Sequence, residues 1–184
     1  MKIYRALKTN KISQKFGQNL YPGYVLNGML GHNGIDFDCP DGEPVYWDCD
    51  IEGKVASCFV DMNTGAIGGG KGVIVFTEDK DGAFNHRFWH LQGFACKADQ
   101  ILKSGDLLGY AGHTGTVTAP HLHRDIKPLA KDQYGIWRNV YPNNGYHGCI
   151  DFTPYFTNIF IRDIVQISAL QKLIEIIKEL LSRK

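Results

Sequence analysis

No run of apolar residues in this chain approaches the roughly 18 that a membrane-spanning helix needs. The opening segment, Met1 to Phe16, lacks the apolar stretch of a secretory signal. The expectation is a chain made in the cytoplasm and released by some route other than a signal peptide. No charge of one sign dominates, since 20 Lys and Arg face 19 Asp and Glu. Overall charge therefore selects neither nucleic acid nor an anionic membrane as partner. None of the five cysteines (39, 49, 58, 96 and 149) stands in a C-x-x-C pair, which removes the zinc-ribbon and thioredoxin readings. The odd count leaves one thiol over in any monomeric disulfide scheme, and the expected state is reduced and buried. There is no internal repeat and no low-complexity tract.

What is present points to a turn-rich β protein. The 184 residues include 21 glycines, and 12% are aromatic, a balance that favours sheet over helical bundle. Segments 45–47, 53–60, 73–76, 84–91, 107–109 and 121–126 read as strands separated by Gly and Asp turns. Tyr134 to Gly148 reads as a loop able to wall a groove, and Asp151 to Phe156 as a closing turn. The character changes near residue 160. Ile167, Leu170, Ile174, Ile177 and Leu181 recur at spacings of three and four, a coiled-coil-like seam that Leu173, Ile176 and Leu180 widen. The expected division is a β domain over residues 1–160 and an amphipathic helix over 161–184. That helix has three readings: packing on its own domain, a homo-oligomer contact through residues 163–184, or an interfacial membrane helix.

Two local patterns imitate known sites and fail. Gly65 to Lys71 fits the first seven positions of a phosphate-binding P-loop, but Gly72 stands where Ser or Thr must hold magnesium, and a strand-like run follows instead of a helix. Asp36-Phe37-Asp38 begins like a calcium loop, but Pro40 takes the place of the third ligand.

The histidines carry the chemistry. In His32-Asn33-Gly34-Ile35-Asp36, extended backbone would send the imidazole and the carboxylate to one face with only Gly34 between them. In His121-Leu122-His123 the two imidazoles share one face of a strand and Leu122 takes the other. Two His nitrogens and one carboxylate oxygen suit a catalytic Zn2+ with an open fourth position. The set holds one histidine more than the metal needs, and His90 adds another, so spare imidazoles are at hand for acid–base work or oxyanion stabilisation. His113 reads as a turn residue, and His86 and His147 as surface or structural.

In order along the chain, these residues resemble the lysostaphin/LytM-type zinc metalloendopeptidases. Gly31 to Phe37 resembles the first zinc motif, Trp89-His90-Leu91 part of the central strand pair, and Ala119 to His123 the H-L-H motif; the likeness runs over roughly residues 10 to 157. The resemblance implies a mainly β fold, a compact antiparallel sheet with a groove over the metal, here followed by the C-terminal helix. It implies His32, Asp36 and His123 as zinc ligands, His121 as general base, and His90 in oxyanion stabilisation or proton transfer. Asn33, Tyr134, Trp137 and Tyr141 are candidates for binding substrate. The implied activity is hydrolysis of peptide bonds in bacterial peptidoglycan stems or cross-bridges, with a phage-type lysin acting on the cell wall as one origin. The alternative is a silent or gated relative that binds cell wall or activates a partner hydrolase. Asn19 or Asn27, in the loop before His32, is placed to reach the metal in a gated form. Two departures stand out. Arg124 and Asp125 follow the H-L-H motif where an aromatic residue and an acid are usual, a change expected to alter groove charge. Trp89 occupies a position where a smaller residue is common.

Overall fold

The computed structural model describes residues 1–61 and 68–182. Among them, ten strands join in one sheet that is antiparallel throughout. Its main path runs β2 (Ile12–Gln14), β3 (Ile35–Asp38), β10 (His121–Lys131), β7 (Gly82–Phe94), β6 (Gly70–Asp79), β5 (Gly53–Asp61) and β8 (Ile101–Leu102). Off that path, β11 (Trp137–Asn139) extends β10, β9 (Leu107–Ala111) pairs with β7, and β4 (Pro44–Tyr46) pairs with β9. A separate parallel pair joins β1 (Ile3–Arg5) to β12 (Phe156–Phe160). The short helix α1 (Gly23–Leu26) precedes the first histidine motif, and α2 (Ile161–Ser182) ends the described chain.

The six segments that the sequence places as strands are all strands, and four of them, β6, β7, β9 and β10, are longer by two residues or more. β6, β7 and β10 extend well past the apolar segments that announce them, because their pairing continues through polar residues at the outer ends of the ladder. The expected loop 134–148 contains β11, and the closing turn is one turn of 3-10 helix, Thr153–Tyr155, running into β12. The glycine tract 65–72 lies partly outside the described residues, and its end, Gly70 to Gly72, opens β6. A strand there leaves no helix N-terminus for a phosphate.

Period-two alternation sorts β10 into two faces. Leu122, Arg124 and Ile126 turn inward to a core that includes Trp47, Phe88, Leu91 and Phe152. Arg124 is only 1% exposed, so it adds nothing to the charge of the groove. The expectation that it would is corrected by the parity of the strand: it lies opposite in direction to His123. Its guanidinium binds Asp48 through Nε at 2.9 Å and Nη2 at 3.0 Å, and stacks over Phe88 with its centre 4.3 Å from the ring centroid. Nη2 also donates to His86 Nδ1 at 2.8 Å. Since a guanidinium only donates, His86 is protonated on Nε2, which donates to Thr77 Oγ1 at 2.9 Å.

The helix α2 begins at Ile161, which is buried. Beyond its first turns it leaves the body. Ile167, Leu170, Leu173, Ile174, Ile176, Ile177, Leu180 and Leu181 are all exposed. No helix among the described residues is long and apolar enough to cross a membrane.

Two outcomes follow from the buried Arg124 cluster. Asp48→Ala strands a buried guanidinium and is expected to lower stability by about 3–5 kcal/mol, read from urea unfolding midpoints. Burial, then Arg124, hold the His86 pKa well below its ordinary value. The neutral form is thus favoured by folding: its contribution is complete above the unfolded pKa of about 6.5 and declines as pH falls below it. His86→Gln, which cannot titrate, should lose less stability than the parent between pH 7 and 5.5 in thermal melts.

Candidate active site

β3 and β10 are neighbours, in a register that sets Asp36 opposite His123. His32 enters from the turn just before β3. Its backbone N–H donates to Gln18 O at 2.8 Å and its carbonyl accepts from Gly17 at 2.8 Å. Gly34 lets this turn press onto β10, since an added Cβ would collide with the Arg124 carbonyl oxygen and the His123 ring. His32 Nε2, Asp36 Oδ1 and His123 Nδ1 consequently converge: 2.9 Å from His32 to His123, 3.0 Å from His32 to Asp36 and 2.8 Å from His123 to Asp36. These three groups could hold a metal ion.

The outer nitrogens show which electron pairs face inward. His32 Nδ1 lies 3.3 Å from Lys15 O, and His123 Nε2 lies 3.2 Å from Asp125 Oδ2. Both partners are acceptors, so each ring carries its proton on the outside and turns a lone pair to the shared point. Two imidazole lone pairs and a carboxylate oxygen aimed at one place repel unless a positive charge sits among them. A proton answers in the metal-free chain: although burial opposes it, Asp125 and Asp36 push the His123 pKa up to about 9. Burial likewise works against the Asp36 charge, but hydrogen bonds from His123 and His32 hold its pKa far below the ordinary range. A divalent cation with a taste for nitrogen and oxygen ligands answers the same need, and zinc fits this donor set.

His90 and His121 flank the triangle, their ring centroids 4.6 Å apart. His121 Nδ1 donates to Ala119 O at 2.9 Å, and its Nε2 lies 3.9 Å from Asp36 Oδ2. His90 has φ +62°, a left-handed backbone that disfavours side chains with a Cβ. It sits beside a break in the register of β7 with its neighbours, and its Nδ1 donates to Thr114 O at 2.9 Å. Strain of this sort persists where the surroundings dictate the conformation. Burial, then His121 and His123, press the His90 pKa down to about 3.

Several contacts around the site escaped the sequence. Tyr24 on α1 is buried with its ring 6.0 Å from that of His32, and burial, then Asp36, push its pKa up to about 12. Asp125 is fully buried, with Arg87 Nε donating to Oδ1 at 2.6 Å and Trp89 Nε1 to Oδ2 at 3.1 Å. Its position two residues after His123 was a usable signal, since strand parity places both on one face. Trp89 packs edge-on against Phe59 and fills the space that Gly69 and Gly72 leave; it lies under the site.

The substrate candidates divide. Asn33 stands in the metal turn, with Nδ2 3.5 Å from Cys149 Sγ. Trp137 pairs with Lys131 and its ring lies 5.5 Å from Phe76. That is eight residues along β10 from His123, about 27 Å at strand spacing, and Tyr134 lies in the turn beyond it. These two are not brought to the histidines. Tyr141 is exposed at the start of a segment that returns to the metal end, where Gly145 O accepts from Leu30 N at 2.8 Å. Asn27 Nδ2 donates to Gly23 O at 2.7 Å within its own helix turn, and Asn19 is exposed. His113 is exposed and paired with Asp41 at 2.7 Å.

The sheet thus brings His32 and Asp36, from the turn and strand β3, against the His-x-His motif of β10 in a group that could hold a metal ion. Residues 30–134 match peptidase family M23, more than half of the chain, and the chain belongs to that family. It is 32% identical to lysostaphin of Staphylococcus simulans over 114 residues, 62% of this chain and 21% of that protein. It is 30% identical to the peptidoglycan DD-endopeptidase ShyA of Vibrio cholerae over 128 residues, 63% of this chain and 24% of that one. The chain thus spans between about a fifth and three tenths of the length of the curated relatives it matches. A solved structure of a zinc-containing peptidase from Vibrio cholerae has a TM-score of 0.55 at 27% identity, over 70% of this chain and 37% of that chain.

Gly34→Ala tests the close approach of the two motifs. It should weaken zinc binding by about tenfold or more, measured by chelator competition, while far-ultraviolet circular dichroism keeps its sheet signature.

Proposed function

We propose that the chain is a zinc-dependent endopeptidase that hydrolyses peptide bonds in peptidoglycan stems or cross-bridges. The observation that carries this is the convergence of His32 Nε2, Asp36 Oδ1 and His123 Nδ1, with two further imidazoles beside it. The names of the relatives, a peptidoglycan DD-endopeptidase among them, supply the substrate class. Zinc held there would polarise a scissile carbonyl and acidify water.

The chain's own residues divide the remaining work. His121 Nδ1–H donates a hydrogen bond to the Ala119 carbonyl, which leaves Nε2 as an acceptor beside Asp36. That nitrogen takes the proton of the attacking water and returns it to the amine leaving group. His90 is fixed in the same sense by Thr114, so its neutral ring also presents an acceptor. Of the two roles that the family resemblance implies for His90, proton transfer fits this tautomer and donation to an oxyanion does not. Asn33 is positioned to touch bound peptide from the metal turn, and Tyr141 from the rim.

The test is release of new amino groups from purified peptidoglycan of several wall types, with zinc supplied. The parent chain should release them and His123→Ala should not. His121→Ala should keep its zinc and lose activity by about 10²–10⁴-fold. Zinc binding without release from any wall would overturn the endopeptidase reading in favour of a wall-binding or partner-activating role.

A further inference from the structure

We infer that Asp125 is a positioning residue for the metal centre: it sets the tautomer and tilt of His123, and Arg87 and Trp89 in turn hold Asp125. The inference rests on the reading that His32, Asp36 and His123 hold zinc. Asp125 is 0% exposed, and both of its oxygens are engaged. Oδ1 accepts from Arg87 Nε at 2.6 Å, and Cys149 Sγ approaches it at 3.5 Å. Oδ2 accepts from Trp89 Nε1 at 3.1 Å and stands 3.2 Å from His123 Nε2.

The direction of these bonds gives them their meaning. Arg87 and Trp89 only donate, so they fix the carboxylate with one oxygen edge turned to His123. His123 must then carry its proton on Nε2, which leaves Nδ1 bare toward Asp36 and His32. A buried acid behind a ligand imidazole also raises the donor strength of the opposite nitrogen. Arg87 balances the charge of Asp125, so the acid remains in place as a neutral pair and does not compete with Asp36 for the ion. Trp89 gives this chain a second clamp: its ring is wedged against Phe59 and over Gly69 and Gly72, which holds its N–H on Oδ2.

A purely structural Arg87–Asp125 pair would matter for stability and leave zinc affinity untouched, and this separates the two accounts. Asp125→Asn preserves size and lets the carbonyl face Arg87, but it presents an amide N–H to His123 and favours the tautomer protonated on Nδ1. Zinc affinity of the full chain is measured by competition with a chromogenic chelator, and the hydrogen-bonded Nε2–H of His123 by proton–nitrogen NMR correlation on the zinc-loaded protein. Asp125→Asn should lower affinity by about 10–100-fold and shift that Nε2–H resonance. Trp89→Phe, which keeps the ring packing and the charge pair, should lower affinity by less, and it decides the matter should Asp125→Asn fail to fold. Unchanged affinity and an unchanged Nε2–H resonance in a folded variant would overturn the inference. A parent chain that takes up no zinc would overturn the metal site itself, an outcome distinct from the first.

A separate observation carries a second inference. Cys58 on β5 and Cys96, just past β7, bring their Sγ atoms to 3.8 Å. The segments are lashed together nearby, with Val55 N donating to Gln100 O and Asp99 N to Val55 O, both at 2.8 Å. The geometry points to a disulfide between them when a small disulfide such as oxidised glutathione is present. Cys58, the more exposed of the two, attacks as thiolate and releases one glutathione thiolate. Cys96 then loses its proton and displaces the second, so two protein thiols become one disulfide and one glutathione disulfide becomes two thiols. Treatment of the native chain should remove two of its five thiols, lower its mass by two hydrogens and yield a peptide linking Cys58 to Cys96. Cys58→Ser should keep all its remaining thiols. Retention of all five thiols in the parent, or a glutathione adduct that persists on Cys58, would overturn this.

Discussion

Three electron pairs aimed at one point repel one another, and the fold around His32, Asp36 and His123 exists to hold them there. Each ring is pinned from behind, His32 by the Lys15 carbonyl and His123 by Asp125. Each backbone is pinned from the side, His32 by its bonds to residues 17 and 18, and the two strands by the pairing of Asp36 with His123. An arrangement this unfavourable without a positive charge makes sense as preorganisation for one. The neighbouring left-handed backbone at His90 belongs to the same pattern, local strain kept where chemistry is placed.

Strand β10 is the element on which both halves of the molecule depend. One face supplies His121, His123 and Asp125 to the site. The other supplies Leu122, Arg124 and Ile126 to the core. Arg124 is buried where an apolar side chain would serve packing more simply, and it is tolerated because Asp48, His86 and two aromatic rings take up its charge and donors. The result is an ion pair directly beneath the strand that carries His121 and His123. Removing one partner would disturb the strand from below, while the ligands themselves would be untouched.

The sequence made the sheet, the terminal helix and the histidine pairs legible because each depends on local periodicity. Alternation gave the faces of β10, and spacings of three and four gave α2. What it concealed was pairing between distant segments. Nothing local says that Tyr24 packs on His32, or that Trp89 reaches Asp125 on the neighbouring strand. The Gly, Asn, Pro and aromatic content of Tyr134 to Gly148 suggested a groove wall, yet β11 folds back along the far end of β10 and takes Trp137 away from the site. Arg124 misled for a different reason. Charge argued for the surface, and strand parity, which was equally visible, argued for the core; parity won because Asp48 was waiting there.

The charge balance of the centre then bears on what it can do. Asp125 and Arg87 cancel each other, and with a metal bound the partners of His32 and His123 would keep the outer nitrogens protonated and turn the bare ones to the ion. Asp36 is left as the single negative ligand. A divalent cation in this setting would keep one net positive charge, beside the buried His32, Asp36 and His123 side chains. A second carboxylate ligand would have removed that charge, and with it most of the pull on a carbonyl oxygen. With its second acid behind His123 and neutralised by Arg87, the proposed centre would have a firmer ligand and would keep that pull on a carbonyl oxygen.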